Sequence, residues 1–167
     1  MRAALVFVMM IMWSLPAGAQ ETVALAVEGW RQQTGDDGIV TYRCASEICA
    51  KGSVVSYKVQ PHRNTITLQD FETHHRRLAD QNAGTGNIRD VRLAEPKDHV
   101  IDGVRVLQIS REVVWADRSV TYTIEARLIG PDKSFSLVSD SPQRDWTVNN
   151  FEGFLKPMID IAGIKGP

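Results

Sequence analysis

The chain is poor in the features that would name its chemistry. Of 167 residues only two are cysteine and four are histidine, and 19 Lys plus Arg nearly balance 20 Asp plus Glu, for a formal net charge of −1. That balance argues against a nucleic-acid partner, which calls for a strong basic excess. Beyond residue 15 no apolar run approaches the about 20 residues of a membrane-spanning helix. No repeat, low-complexity tract or Pro/Gly/Ser linker divides residues 20–167, which read as one domain long enough to bury a core of its own. Hydrolase chemistry would want a serine on a sharp turn such as Gly-x-Ser-x-Gly, and neither Gly52-Ser53 nor Asp140-Ser141-Pro142 has that context. Gly84-Thr85-Gly86 follows a helical pattern rather than a strand, so it is no dinucleotide fingerprint. The adjacent acids Asp36 and Asp37 lie in a glycine turn and read as a solvated loop.

What is present begins with the N-terminus. Arg2 supplies a short positive region, and residues 3–13 are apolar, with Leu15 just beyond. Pro16 then breaks the run and Ala17-Gly18-Ala19 offers the small residues of a signal-peptidase site. Residues 1–19 are therefore expected to be a cleaved secretory signal peptide, leaving Gln20 as the mature N-terminus. The run is too short for an anchor, and no cysteine follows the cut to carry a lipid. The methionine-rich core and short positive region point to a bacterial leader, so the expected location is periplasmic or secreted.

Export changes the meaning of the two cysteines. Cys44 and Cys49 lie in Tyr42-Arg43-Cys44-Ala45-Ser46-Glu47-Ile48-Cys49. In an oxidising compartment such a pair is expected to form a structural disulfide. The competing reading is a thiol-redox site, but those sites place two residues between the cysteines at a helix start. Here four intervene and the flanks read as strands. Cys44 and Cys49 are expected to face each other across a loop of residues 45–48.

Periodicity outlines the rest. Residues 27–33 are strand or helix, undecided by pattern. Residues 39–44 and 52–59 read as strands. Thr67-Leu68-Gln69-Asp70 opens a helix, with Thr67 able to cap it and Asp70 in its first turn. Leu68, Phe71, His75 and Leu78 fall on one face of that helix at helical spacing. A meander follows, with strands over residues 88–94, 104–115, 120–129 and 134–138. In the third of these, Tyr122, Ile124, Ala126 and Leu128 alternate with Thr121, Thr123, Glu125 and Arg127. Residues 139–145 read as a polar loop. A C-terminal helix starts near residue 146 with an apolar stripe of Val148, Phe151, Leu155, Met158, Ile159 and Ala162, and Pro157 is expected to kink or break it. The fold class is α+β: a mostly antiparallel sheet with two amphipathic helices on one face and the other face polar.

Among titratable groups, His74-His75-Arg76-Arg77 stands out. Glu72 and His75 are three apart, the spacing of a Glu-x-x-His metal motif, but di-iron bundles need that motif twice. A metal-binding module using Glu72, His74 and His75 is thus an alternative reading. The plainer one buries His75 against the sheet and pairs His74 with Asp70 and Arg76 with Glu72 across helical turns. For partner contact, Trp115 and Arg118 at a hairpin tip make a hot-spot combination, and Lys51, Lys58, His62, Arg63, Arg76 and Arg77 outline a mild basic face. No cofactor is called for, and no catalytic residue is named.

The order of elements, with Thr67-Leu68-Gln69-Asp70-Phe71 opening the first helix and Asn149-Asn150-Phe151-Glu152-Gly153-Phe154-Leu155 in the last, resembles the PsbP-like and DcrB-like exported domains. Members of that group are mostly accessory or envelope proteins without catalytic activity. The resemblance therefore implies a binding or assembly role in the envelope.

Overall fold

The computed structural model describes Leu25 and residues 27–163; the expected leader lies outside them. Eight strands and two helices run in the order β1 (Trp30–Thr34), β2 (Val40–Cys44), β3 (Val54–Gln60), α1 (Leu68–Asn82), β4 (Ile88–Leu93), β5 (Lys97–Ile101), β6 (Val104–Trp115), β7 (Val120–Ile129), β8 (Ser134–Ser141) and α2 (Arg144–Gly163). All pairings are antiparallel, in one sheet ordered β1-β2-β3-β8-β7-β6-β4, with β5 also on β6. The 12-residue β6 serves two neighbours on one edge, β5 along its first half and β4 along its second. The fold class is α+β, as the patterning predicts. The undecided segment over residues 27–33 becomes a strand from Trp30 onward.

The two helices lie on opposite faces of the sheet, which corrects the expectation that both share one. The alternation of β7 is as predicted: Ile124, Ala126 and Leu128 point one way, joined by Val104, Val106, Phe135 and Leu137, and all pack under Phe151, Phe154, Met158, Ile159 and Ala162 of α2. The opposite side of β6 and β7 carries Leu107, Ile109 and Ile129, which pack with Phe71 of α1. The polar side of the alternation therefore holds a second, smaller core. Sequence alternation reports that a strand has two sides, but not which helix returns over which.

The α2 core is the larger. Leu128, Leu137, Phe154 and Met158 are fully buried, and burying a side chain of that size stabilises by about 1.5–3 kcal/mol. Phe154 sits against the rings of Trp30 and Tyr42 at 5.2 and 4.9 Å between centroids. Phe151, Met158, Ile159 and Ala162 of the expected α2 stripe are buried, and the stripe differs mainly toward its N-terminal end. Thr147, Asn150 and Phe154 are buried, whereas Val148 is exposed. The helix continues through Pro157 rather than ending there, because Phe154 before it and Met158 after it both seat in the core. Gly130 lets α2 come close: a Cβ there would stand 1.9 Å from the Ala162 carbonyl oxygen.

Strand β8 runs on to Ser141, into what reads as a loop. Its serines bury because each finds a partner: Ser139 Oγ donates to the Thr147 carbonyl at 3.0 Å, and Ser141 Oγ accepts from Ser53 Oγ at 3.0 Å. Helix α1 begins as predicted. Thr67 Oγ1 accepts from the Asp70 amide at 3.0 Å while the Asp70 carboxylate accepts from the Thr67 amide at 3.1 Å. This reciprocal box satisfies two otherwise orphaned donors.

Candidate functional site

The α1 side of the sheet is where titratable groups are buried together. Helix α1 packs over β4 and β6, and it turns Phe71, His75 and Ala79 inward. His75 is 2 % exposed, its ring edge-on to Phe71 at 4.4 Å between centroids. Its Nε2 lies 3.8 Å from Glu125 Oε1, and its buried Nδ1 has no hydrogen-bond partner. Burial, with smaller contributions from His74 and Arg111, pushes the His75 pKa down to about 4, so the ring is neutral at physiological pH.

Two half-buried carboxylates share this region with one guanidinium. Glu125 Oε2 accepts from Arg111 Nη1 at 3.4 Å. Asp140 Oδ1 accepts from Thr123 Oγ1 at 2.5 Å. Burial raises the pKa of both acids, more than Arg111 lowers it. The strand register explains the proximity: Asp140, Thr123 and Arg111 are directly opposed on β8, β7 and β6. A groove of about 380 Å³ opens beside α1 onto His75, Arg111 and Asp140, with Leu78, Val91 and Val113 as its apolar wall. It can accept or donate hydrogen bonds at its floor and shelter an apolar group at its wall.

The other residues singled out in the sequence fall at separate places. Cys44 and Cys49 form a disulfide with Cα atoms 5.6 Å apart. They are not opposed strand residues. Cys49 lies in a short 3-10 turn, Glu47–Cys49, capped by Ser46, and β3 begins only at Val54. Cys49 is 1 % exposed, and its carbonyl accepts from Asn150 Nδ2 of α2 at 3.4 Å. The bridge closes the β2–β3 connection on itself, and the Asn150 hydrogen bond ties it to α2.

Trp115 is half-buried, donating from Nε1 to Thr121 Oγ1 at 2.9 Å and lining the end of the α1 groove. Arg118 is exposed in the turn beyond it at φ 70°. Glu72 is taken by Arg76, whose Nε donates to Oε1 at 2.8 Å. Asp70 is taken by the cap, and His74 instead lies 3.4 Å from Arg77 Nη2. Among the described residues no three His, Cys, Asp or Glu side chains come together as a metal site. Arg111, Thr123, Glu125 and Asp140 carry no sequence signal beyond alternation. Their meeting with His75 depends on strands far apart in the chain.

Neither a protein-family model nor any curated protein matches the chain in sequence. Solved structures do resemble it in shape. A protein of unknown function from Pseudomonas aeruginosa, PA94, superposes with a TM-score of 0.54 at 8% identity over 80% of this chain and 86% of that one. The solution structure of cyanobacterial PsbP from Synechocystis gives 0.53 at 16% identity over 81% of this chain and 79% of that one. At those identities the likeness shows a shared fold and nothing about ligand or pathway. The fold resemblance drawn from element order therefore stands for the PsbP-like side. No helix among the described residues is long and apolar enough to cross a membrane.

Proposed function

We propose that this chain is an exported, non-catalytic binding or accessory module, with residues 20–167 as one domain and the α1 groove as its contact site. The observation that carries the reading is the unpartnered His75 Nδ1, buried beside the groove that Arg111 and Asp140 line. A buried polar atom without a partner is destabilising in isolation, and a ligand group or a partner's side chain would satisfy it. The shared fold with PsbP fits a module of this kind, and the leader and disulfide support an oxidising destination. The thiol-redox alternative has less behind it, since Cys49 is sealed from solvent. A photo-crosslinking residue placed at Asn82 on the groove rim tests the contact site, with Glu152 on the outer surface of α2 as control. Adducts formed in the native host at Asn82 and absent at Glu152 support the groove; equal labelling at both rejects it. Mass spectrometry of the exported protein tests the destination. An N-terminus at Gln20 or its pyroglutamate supports it, and an intact leader overturns it.

A further inference from the structure

Helix α1 covers only the β4–β6 side of its face. Over β1, β2, β3 and β8 that face is bare, and it is basic. Alternation there presents Arg31, Arg43 and Lys58, with Asp140 as the one acid. Arg31 and Arg43 are directly opposed in the β1–β2 register, although like charges in that position repel. Neither they nor Lys58 and Lys51 has an ion-pair partner among the described residues. Arg127 closes the patch across Ser136 from Lys58. It reaches the Pro61 carbonyl with Nη2 at 2.7 Å, but its Nε is buried and unbonded. Beyond β1 and β2 a shallow basin of about 860 Å³ extends the patch past Arg31, Arg43 and Lys51, with Glu47 at its rim. In a chain of net charge −1, this face keeps its cations unneutralised while the acids are placed elsewhere.

We infer that this half-face is a docking surface for an acidic segment of a partner protein, laid alongside α1. Shape selects the occupant. From β1 to β8 the floor is about 14 Å across at ordinary strand spacing, wide enough for one helix of about 10–12 Å. A flat bilayer resting on α1 would be held about a helix diameter above the guanidiniums, so the step that admits a protein segment excludes a planar anionic membrane. The floor between the cations is mixed, with Thr41, Ser56 and Ser136 beside Val54 and Val138, so charge supplies most of the attraction and salt weakens it. This surface meets the α1 groove at Asp140, and either can fail without the other.

The test titrates a labelled polyglutamate peptide of about 20 residues against the purified protein at about 20 and 200 mM salt. Arg43→Glu with Lys58→Glu is compared with Arg89→Glu with Lys156→Glu, which changes net charge equally on other surfaces. The expected result is salt-sensitive binding that the face pair weakens at least about tenfold and the control pair by less than about twofold. The melting temperature of the face pair should hold or rise, since the Arg31–Arg43 repulsion is relieved. Equal weakening by both pairs reduces the effect to bulk charge and overturns the inference. So does an absence of peptide binding, or binding to phosphatidylglycerol vesicles in its place.

Discussion

On one side of β7, Ile124, Ala126 and Leu128 lie under α2 in a continuous apolar core. On the other, Thr123, Glu125 and Arg127 face α1 and the open half of the sheet, where buried groups are paired, half-paired or unpaired. The same ten residues thus build two environments at once. The apolar side depends on volume and tolerates no charge. The polar side stores unsatisfied hydrogen-bonding and charge that the fold does not need. The larger apolar core lies on one face, and the buried titratable groups lie on the other.

Reversing the character of one position on each side breaks or sustains this contrast. Leu128→Asp places an unpaired carboxylate at a fully buried site and is expected to remove more than about 4 kcal/mol, enough to unfold a typical domain. Ser136→Asp, between Lys58 and Arg127 on the other face, is expected to be neutral or stabilising by about 0.5 kcal/mol. Similar denaturation midpoints for the two variants would erase the distinction.

Backbone approach gives the next largest effect. Gly130→Ala drives a methyl group into the Ala162 carbonyl and should lose about 3 kcal/mol unless α2 withdraws. Gly153→Ala, on the same helix with open space around it, should gain about 1 kcal/mol from helix propensity. Thermal melts that rank the two alike would mean that α2 is not held against the sheet as described.

The polar face should announce itself through pH. The pKa of His75 is near 4 when folded, against an ordinary value of about 6.5. The unfolded chain therefore takes up a proton first as pH falls. Stability from this group is complete above about pH 6.5 and is lost progressively down to about pH 4, by an amount on the order of 2–3 kcal/mol. Glu125 and Asp140, raised by burial, act in the opposite sense, adding stability at low pH that fades as pH rises through their folded values. Urea titrations across that range should show a steeper acid loss for the wild type than for His75→Gln. Parallel profiles would show that His75 is not a neutral buried group.

Of the losses, the smallest belongs to the disulfide. The loop it closes is short, so chain entropy credits it with about 2 kcal/mol. Cys44→Ser with Cys49→Ser should fold, melt lower and keep both faces intact. Unfolding at room temperature would show that the bridge, through Asn150 and α2, carries much more than its entropy.

The sequence made the strand alternation of β7, the Thr67 cap, the burial of His75 and the cysteine pair readable, because each is a local pattern of spacing. It hid β5, since Lys97-Asp98-His99-Val100-Ile101 shows no apolar alternation along an exposed edge. It disguised the end of β8 as a loop, since Ser139 and Ser141 bury only by virtue of partners 8 and 88 residues away. Thr123 reads as a solvent residue yet is 2 % exposed, its hydroxyl donating to Asp140 on the neighbouring strand. The site followed the same rule. His75 could be placed on an inward helical face, but Glu125, Arg111 and Asp140 reach it only through strand pairing.

The pairing of β3 with β8 has one more consequence, for the order of assembly. Val54 meets Asp140 and Gln60 meets Ser134, so the N-terminal hairpins can join the sheet only after nearly the whole chain exists. Domains dominated by such distant closures fold slowly, in about milliseconds to seconds rather than microseconds. Until β8 is available, β1, β2 and β3 can pair only with one another, apart from the rest of the sheet. That delay would suit the export proposed above, since a chain threading a pore must not close its sheet before the last strand has crossed.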